Sequence, residues 1–499
     1  MKEMNFPLLS AQEAARLIKD KEVLGIGGFS SVGTPKLLPM ALAEYARELH
    51  SEGKKFKVGL ITGGAAGSLI DGALAQADAV FMRTPFQSDK DMRNSINSGK
   101  VAYFDLHLSH IGQDVRYGFL PKIDVAIIEA SDITAEGEIT LSTSVGISPT
   151  LVQQADRVIV ELNRVHKGKL KGMHDIFLLD TPPYRKEIPI YRVNDRVGSC
   201  TLKVDPKKIV AVVESEVKDR IAPFTPLNET TQRIGNNVAA FLLNEWRKGG
   251  IPKEFLPLQS GVGNVANAVL GALGEDTHLP AFSMFTEVIQ NSVIDLMMKG
   301  RICFATGSSL TLSEDKLDMM YENLDFFKER ILLRPQEITN HPEMVRRLGI
   351  IAVNTALEAD IFGNVNSTHV MGSKMMNGIG GSADFSRNAF LSIFTTPSTA
   401  KDGLISSIVP QVSHVDSTEH DVRVLVTEQG VADLRGKSPK ERAACIIENC
   451  AHPDYKELLW DYVKLSEGKG YHTPFSLKNA LKMHLAFAET GDMRNTKYE

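Results

Sequence analysis

The sequence predicts an α/β protein made of two similar α/β domains with largely parallel sheets. Three observations carry this. Short β-like runs alternate with helical patterns along the chain, the second half echoes the first, and each half opens with a glycine-rich turn. In chain order, Glu22–Gly27, Lys57–Ile61, Ala79–Met82, Val101–Phe104, Val125–Glu129 and Arg157–Leu162 are short apolar runs that read as strands. Amphipathic stretches such as Pro35–Leu49 lie between them. Such alternation builds βαβ units and hence parallel sheets. Further on, Pro280–Phe285 reads as a short buried strand. Val288, Ile289, Val293, Ile294, Leu296 and Met297 then fall at helical spacing, and Gly300 stops that helix. The tail, Ser438–Glu499, is richer in charged and aromatic residues and reads as helices packed on the outside.

The echo is visible in two places. Ile127–Ile139 and Ala352–Val365 each carry Asp-Ile, a turn with glycine, a β-branched residue and then Ser-Thr. Asp156–Glu161 resembles Asp421–Glu428. The spacings are unequal, which leaves room for an insertion. The glycine turns are Gly25-Ile-Gly-Gly28 and Gly261-Val-Gly-Asn264. Prolines cluster around Asp219–Pro226, and the boundary is set at 222/223, giving domains 1–222 and 223–499. Two such domains facing each other would form a cleft, the usual place for a ligand.

The bulk numbers fit an ordinary globular protein. The chain has 499 residues, 43% hydrophobic and 23% charged, too long for one core. Net charge is −5 with no basic tract, which argues against nucleic acid as a partner. No apolar run is long enough to span a bilayer, and the first residues lack a signal-peptide pattern, so a cytoplasmic protein without membrane partners is expected. Cys200, Cys303, Cys445 and Cys450 form no C-x-x-C pair, so neither a disulfide framework nor a zinc ribbon is expected. His107 and His110 have a spacing that can hold a metal, but no acid or cysteine cluster completes the set. They read as structural, and no metal site is expected.

Four places could carry chemistry. Glu287 is expected where a strand ends and a helix begins, the edge where α/β sheets bind ligands. A carboxylate buried there is costly unless paired or working. The competing reading is an acid placed to suit the helix dipole. Gly261–Val269 opens a helix after an apolar stretch and loosely fits a dinucleotide fingerprint. The acid that fingerprint needs would fall near Glu287, which here is read as starting its own helix, so a Rossmann site is not favoured. Gly378–Phe385 (GIGGSADF) could form an anion nest of backbone amides, suited to an oxyanion, or simply a loop needing glycine for its shape. It lacks the Lys-Ser/Thr of a P-loop. Glu428, in VTEQGVADLR, lies at another strand end and could line the same cleft or be a solvated loop acid. No G-x-S-x-G elbow is present, so a serine hydrolase is not favoured.

Taken together, FTEVIQNSVIDL around Glu287, FATGSSLTLS (304–313), GVGNVANAV, GIGGSADF and VTEQGVADLRG resemble the acetyl-CoA hydrolase/transferase family of class I coenzyme A transferases. The resemblance covers nearly the whole chain and is nearest to succinyl-CoA:acetate CoA-transferases. It implies two α/β/α CoA-transferase domains with the active site in the cleft between them. It also implies that Glu287 is the nucleophile and forms acyl-glutamyl anhydride and glutamyl-CoA intermediates. By the same resemblance the Gly381 amide serves an oxyanion hole, Gly261, Val262, Gly263, Asn264, Val265 and Ala266 lie along the pantetheine, and Asn377 and Lys401 contact CoA. Arg220, Asn340 and Glu428 match residues that line or close the site. Coenzyme A is then a substrate, small carboxylates are its partners, no further cofactor or metal is implied, and a homodimer is expected. An acyl-CoA hydrolase using the same site is the second reading. A non-catalytic CoA- or nucleotide-binding module is the third.

Overall fold

The computed structural model describes residues 6–221, 226–275, 278–467 and 472–499. Contacts divide the chain into two compact units: Met1–Pro223 with Ser283–Leu348, and Phe224–Phe282 with Gly349–Glu499. The boundary expected at 222/223 lies outside the described residues. The chain leaves the first unit there and returns to it at Ser283, so Glu287 and Asn340 belong to the first unit by contact, although sequence order assigns them to the second.

The main sheet of the first unit has nine strands among the described residues: β1 (Val23–Ile26), β2 (Val58–Thr62), β3 (Val80–Thr84), β4 (Ala102–Tyr103), β5 (Val125–Ile133), β6 (Glu138–Leu141), β7 (Arg157–Asn163), β8 (Leu202–Lys203) and β9 (Ile209–Ser215). Six of them match the expected runs to within a few residues at each end, except that β5 runs on to Ile133. The order β4-β3-β2-β1-β5 is parallel and continues through β7 to β9, also parallel. β6 pairs antiparallel with β5, and β8 with β6. Every residue of β1 and β2 is buried. That explains why these runs are continuously apolar rather than alternating: helices cover both faces of a parallel sheet. Leu24, Ile26, Val58, Leu60 and Ile127 pack with Leu38, Leu42 and Ala46 of the helix Leu37–Ser51 in one core. Chain order reverses between β1 and β5, so a crevice opens at the ends of these strands. Ser144 Oγ donates to the Val32 carbonyl at 3.0 Å.

The second unit has a parallel sheet of Leu258–Ser260, Ile351–Thr355, Leu391–Thr395 and Val424–Val426, with Val431–Asp433 antiparallel at its edge. Helices Glu229–Arg247 and Asn264–Glu275 pack against each other. The tail does form helices, Pro439–Cys450, Pro453–Glu467 and Lys482–Thr490, but they are not merely an outer layer. Tyr455, Leu459, Tyr462 and Met483 are fully buried in one core with Ile408, Val409 and Leu425. Two of the tail's aromatic residues, Tyr455 and Tyr462, thus belong to this core.

The echoed segments fold alike within their own units. β5 and β6 form an antiparallel pair turning at Gly137, whose φ is +79°. Glu358–Asp360 pairs antiparallel with Val365–Asn366, turning at Gly363, φ +99°. A left-handed turn residue explains the glycine at both positions. Among the described residues no helix is long and apolar enough to cross a membrane.

Candidate active site

Glu287 lies in a bend. The strand Phe282–Phe285 ends, Thr286 is buried, and Val288–Gln290 then pairs parallel with Ser309–Thr311. The helix begins only at Asn291 and runs to Met298. The expectation that Glu287 starts a helix is therefore corrected: the helix begins four residues later. Val288 and Ile289 are β-branched and buried, and pairing with Ser309 and Leu310 draws them into a strand first. The Ser308 and Ser309 amides donate to the Glu287 carbonyl at 2.7 and 3.1 Å. Glu287 is thus not an acid placed for a helix dipole. The same correction removes the reason for setting aside the dinucleotide fingerprint. The Glu287 carboxylate accepts a hydrogen bond from Asn340 Nδ2.

Asn340 is fully buried and ends the short helix Gln336–Thr339. Its own N–H donates to the Gln336 carbonyl at 2.8 Å, and Thr339 Oγ1 lies 2.9 Å from its Oδ1. A carboxylate accepts only, so its partner must present the NH₂ side of the amide. Gln336 holds this helix in place: its side-chain amide donates to the Gly63 and Leu108 carbonyls at 2.8 and 3.0 Å. Its backbone N–H donates to Gly146 at 3.0 Å.

Arg220 is exposed and directly follows a buried acid, Asp219. Asp219 accepts from the Gly33 N–H at 3.1 Å and from the Thr143 hydroxyl, and it pairs with Lys36 Nζ at 2.8 Å. Lys36 also pairs with Glu129 and donates to the Thr34 carbonyl at 2.9 Å. Sequence reading missed this network because its members come from four distant segments. Among the described residues, Glu129, His166 and Asp219 are the grouping whose ligand-type atoms lie close enough to hold a metal, within 4.8 Å of one another. The ammonium of Lys36 already supplies the cation there. Burial opposes the charge on Lys36, but the two carboxylates hold its pKa above the ordinary value. Burial raises the Glu129 carboxyl to about 7 even though Lys36 pulls it down, and neighbouring Asp219 adds to the rise. Burial also opposes ionisation of Asp219, yet Lys36 holds its pKa below the usual range. His107 and His110 stack edge to face with centroids 5.5 Å apart and, among the described residues, are not part of the ligand grouping.

The other expected residues lie in the second unit. The Gly261 N–H donates to the Val353 carbonyl at 3.1 Å, tying the loop to the sheet. Gly263 has φ +113°, which requires glycine, and the helix starts at Asn264 as read from sequence. Val262 is 48% exposed on this loop, between the partly exposed Gly261 and Gly263; Asn264 and Val265 are also partly exposed, and Ala266 is buried. Gly380 is left-handed, Gly381 is buried, and the helix Ser382–Asn388 follows. Asn377 Nδ2 donates to the Gly378 carbonyl at 3.1 Å and to Ser367 at 3.4 Å, so it braces the glycine loop from inside. Lys401 opens the turn of a hairpin between Thr399–Ala400 and Ile405–Ser406. Its ammonium lies 5.0 Å from the centre of the Phe487 ring. Glu428 is buried rather than a solvated loop acid. It accepts from the Ser398 N–H at 2.9 Å, from the Ser398 hydroxyl, and from Gln429 Nε2 at 3.0 Å. Burial pushes its pKa up, but these donors outweigh it and hold the pKa below the usual value. Nothing in the spacing around Ser398 marked it as the partner of Glu428.

Residues 2–214 match the acetyl-CoA hydrolase/transferase N-terminal domain and residues 317–463 the C-terminal domain of the same family. The chain is 49% identical over 488 residues to the succinyl-CoA:acetate CoA-transferase of Clostridium kluyveri, covering 98% of this chain and 90% of that one. It is 47% identical to the propanoyl-CoA:succinate CoA transferase of Escherichia coli, covering 98% and 99%. It is 43% identical to the acetyl-CoA hydrolase of Candida glabrata, covering 97% and 94%. Among solved structures, RipA from Yersinia pestis superposes with a TM-score of 0.69 at 23% identity, covering 92% and 97%, a likeness of fold. The chain belongs to the acetyl-CoA hydrolase/transferase family. It is an enzyme of a family whose members are named both as transferases and as hydrolases.

Proposed function

We propose that this protein is a CoA-transferase that moves CoA between an acyl-CoA of the succinyl or acetyl class and a free carboxylate such as acetate. The observation that carries the reading is the hydrogen bond from the Asn340 amide to the Glu287 carboxylate. It fixes the orientation of a half-buried acid and sets a donor on an oxygen that must bear charge during the reaction.

The steps are those that the family resemblance implies. A Glu287 oxygen attacks the thioester carbon, and the same resemblance assigns the Gly381 amide to the tetrahedral oxyanion on the acyl oxygen. The C–S bond breaks, leaving an acyl-glutamyl anhydride and CoA thiolate. The thiolate attacks the glutamyl carbonyl. The oxyanion now sits on a Glu287 oxygen, where Asn340 donates. The free acid leaves, and Glu287 carries CoA as a thioester. A second carboxylate reverses the sequence. Covalent catalysis divides one hard transfer into easier steps. The 261–266 loop and Asn377 are assigned to CoA, and Lys401 to one of its phosphates. Arg220 and Glu428 are assigned to the reacting end. The protein is assigned to the cytoplasm as a homodimer.

Hydrolysis is the second reading, favoured by the names of the yeast relatives. It differs only in water taking the place of the second carboxylate. The test is to incubate the protein with acetyl-CoA or succinyl-CoA, with and without acetate, and follow thioester loss together with the mass of the Glu287 peptide. A CoA adduct on that peptide, with turnover that depends on acetate, is expected. Loss of acyl-CoA independent of acetate would establish the hydrolase, and an unmodified, inactive protein would refute both.

A further inference from the structure

Asn340 can serve Glu287 only if the four-residue helix before it is held still, and a buried ion pair supplies that hold. Glu337 is the second residue of this helix. Its carboxylate receives both arms of Arg116: Nη2 donates to Oε2 at 2.6 Å and Nη1 to Oε1 at 2.9 Å. The two side chains are only 5% and 3% exposed. Arg116 sits on the helix Leu108–Tyr117, and its Nη1 also donates to Thr150 Oγ1 at 2.8 Å. The bidentate pair adds angular precision that a single contact lacks.

A buried ion pair is a poor device for stability alone, because desolvation offsets much of its attraction. It is a good device for fixing one geometry. The fold also makes room for it at Gly112, where a Cβ atom would lie 2.9 Å from Glu337 Oε2 and 3.4 Å from Thr150 Oγ1. A larger residue there would push on the carboxylate.

We infer that Glu337, clamped by Arg116, is a positioning residue for the reaction, setting the Asn340 amide on the Glu287 carboxylate. The inference rests on the function proposed above. Three variants test it: Glu337→Gln, Gly112→Ala and Asn340→Ala. Glu337→Gln keeps the shape and loses the charge pair. Gly112→Ala displaces the same carboxylate while making the helix intrinsically more stable, by roughly 1 kcal/mol on ordinary propensities. Both are expected to lower kcat by about tenfold or more, as small misplacements of a catalytic group do, with the KM for acyl-CoA within about twofold. In Gly112→Ala the far-UV circular dichroism spectrum at the assay temperature should match the wild type, which separates positioning from loss of fold. In an Asn340→Ala background, Glu337→Gln should cost no further kcat, because its effect passes through Asn340. An additive loss in that background, or unchanged kcat in both single variants while Asn340→Ala is impaired, overturns the inference and leaves the proposed function standing. Wild-type turnover by Asn340→Ala overturns the site reading itself, and this inference with it.

Discussion

Ser398 donates twice to Glu428, once from its N–H at 2.9 Å and once from its hydroxyl. Gln429 adds a third donor at 3.0 Å. These donors keep a buried carboxylate ionised against the pull of its surroundings. Ser398→Ala should therefore raise the Glu428 pKa and cost about 1–3 kcal/mol of stability, the usual penalty for an under-satisfied buried group. Glu428 has a depressed folded pKa, so its contribution is present above its unfolded pKa and is lost as pH falls through the folded value. The Ser398→Ala deficit should then be largest near neutral pH and shrink in acid. Urea unfolding at two pH values checks it, and a deficit growing in acid would refute it.

Glu287 and Asn340 make a sharper pair of predictions. Glu287→Ala should abolish acetate-dependent CoA exchange without unfolding the protein, since Glu287 is half buried in a bend and not in a core cluster. Asn340→Ala should retain some exchange but lose about 10²–10³ in kcat, the range for removing one oxyanion donor. Exchange kinetics with labelled acetate, alongside far-UV circular dichroism, read both. Appreciable exchange by Glu287→Ala would remove it from the nucleophile role.

The contrast between these residues shows what sequence could and could not disclose. The strands of the first unit were legible because burial on both faces leaves β1, and β2 up to its last residue Thr62, without polar side chains. The glycine loops were legible because a φ of +113° at Gly263 excludes other residues. The bend at Glu287 was not legible. Val288 and Ile289 suit the apolar face of a helix and a buried strand equally, and only pairing with Ser309 and Leu310 decides between them. Glu337, Arg116 and Ser398 were invisible for a different reason. Arg116 and Glu337 lie 221 residues apart, and Ser398 and Glu428 lie 30 apart, so no local pattern marks either pair.

Lys36 offers a test of the buried charge network. Its ammonium is the cation between Glu129 and Asp219, and all three groups are buried. Lys36→Met would leave two carboxylates facing each other without compensation. Breaking such a network typically costs about 3–5 kcal/mol. The pH dependence should also change sign at Asp219, now held low by Lys36, and steepen at Glu129, which is already raised. Without the ammonium, both carboxylates would have folded pKa values above their unfolded ones, so the variant should lose stability as pH rises from about 4 toward 7. Thermal melts across that range measure it. A variant as stable as the wild type at pH 7 would show that the network is dispensable.

Three histidines set the acid limit of the fold. His166, His174 and His341 each have a pKa lowered to about 4, in every case mainly by burial. His174 is completely buried and its Nε2 lies 3.0 Å from the Ser142 carbonyl. Among the described residues its Nδ1 meets no partner, so a second proton would find no acceptor. Once unfolded, each histidine titrates near its ordinary 6.5. Between about 4 and 6.5 the unfolded chain therefore holds more protons than the folded one, and stability falls as pH falls through that window. Glu129 and Asp360, both raised to about 7 mainly by burial, work the other way over a similar range, but they are two groups against three. The thermal midpoint should thus drop modestly between pH 7 and pH 5, and His174→Gln should make the decline shallower. A midpoint that holds or rises on acidification would mean that these imidazoles are not neutral in the folded protein.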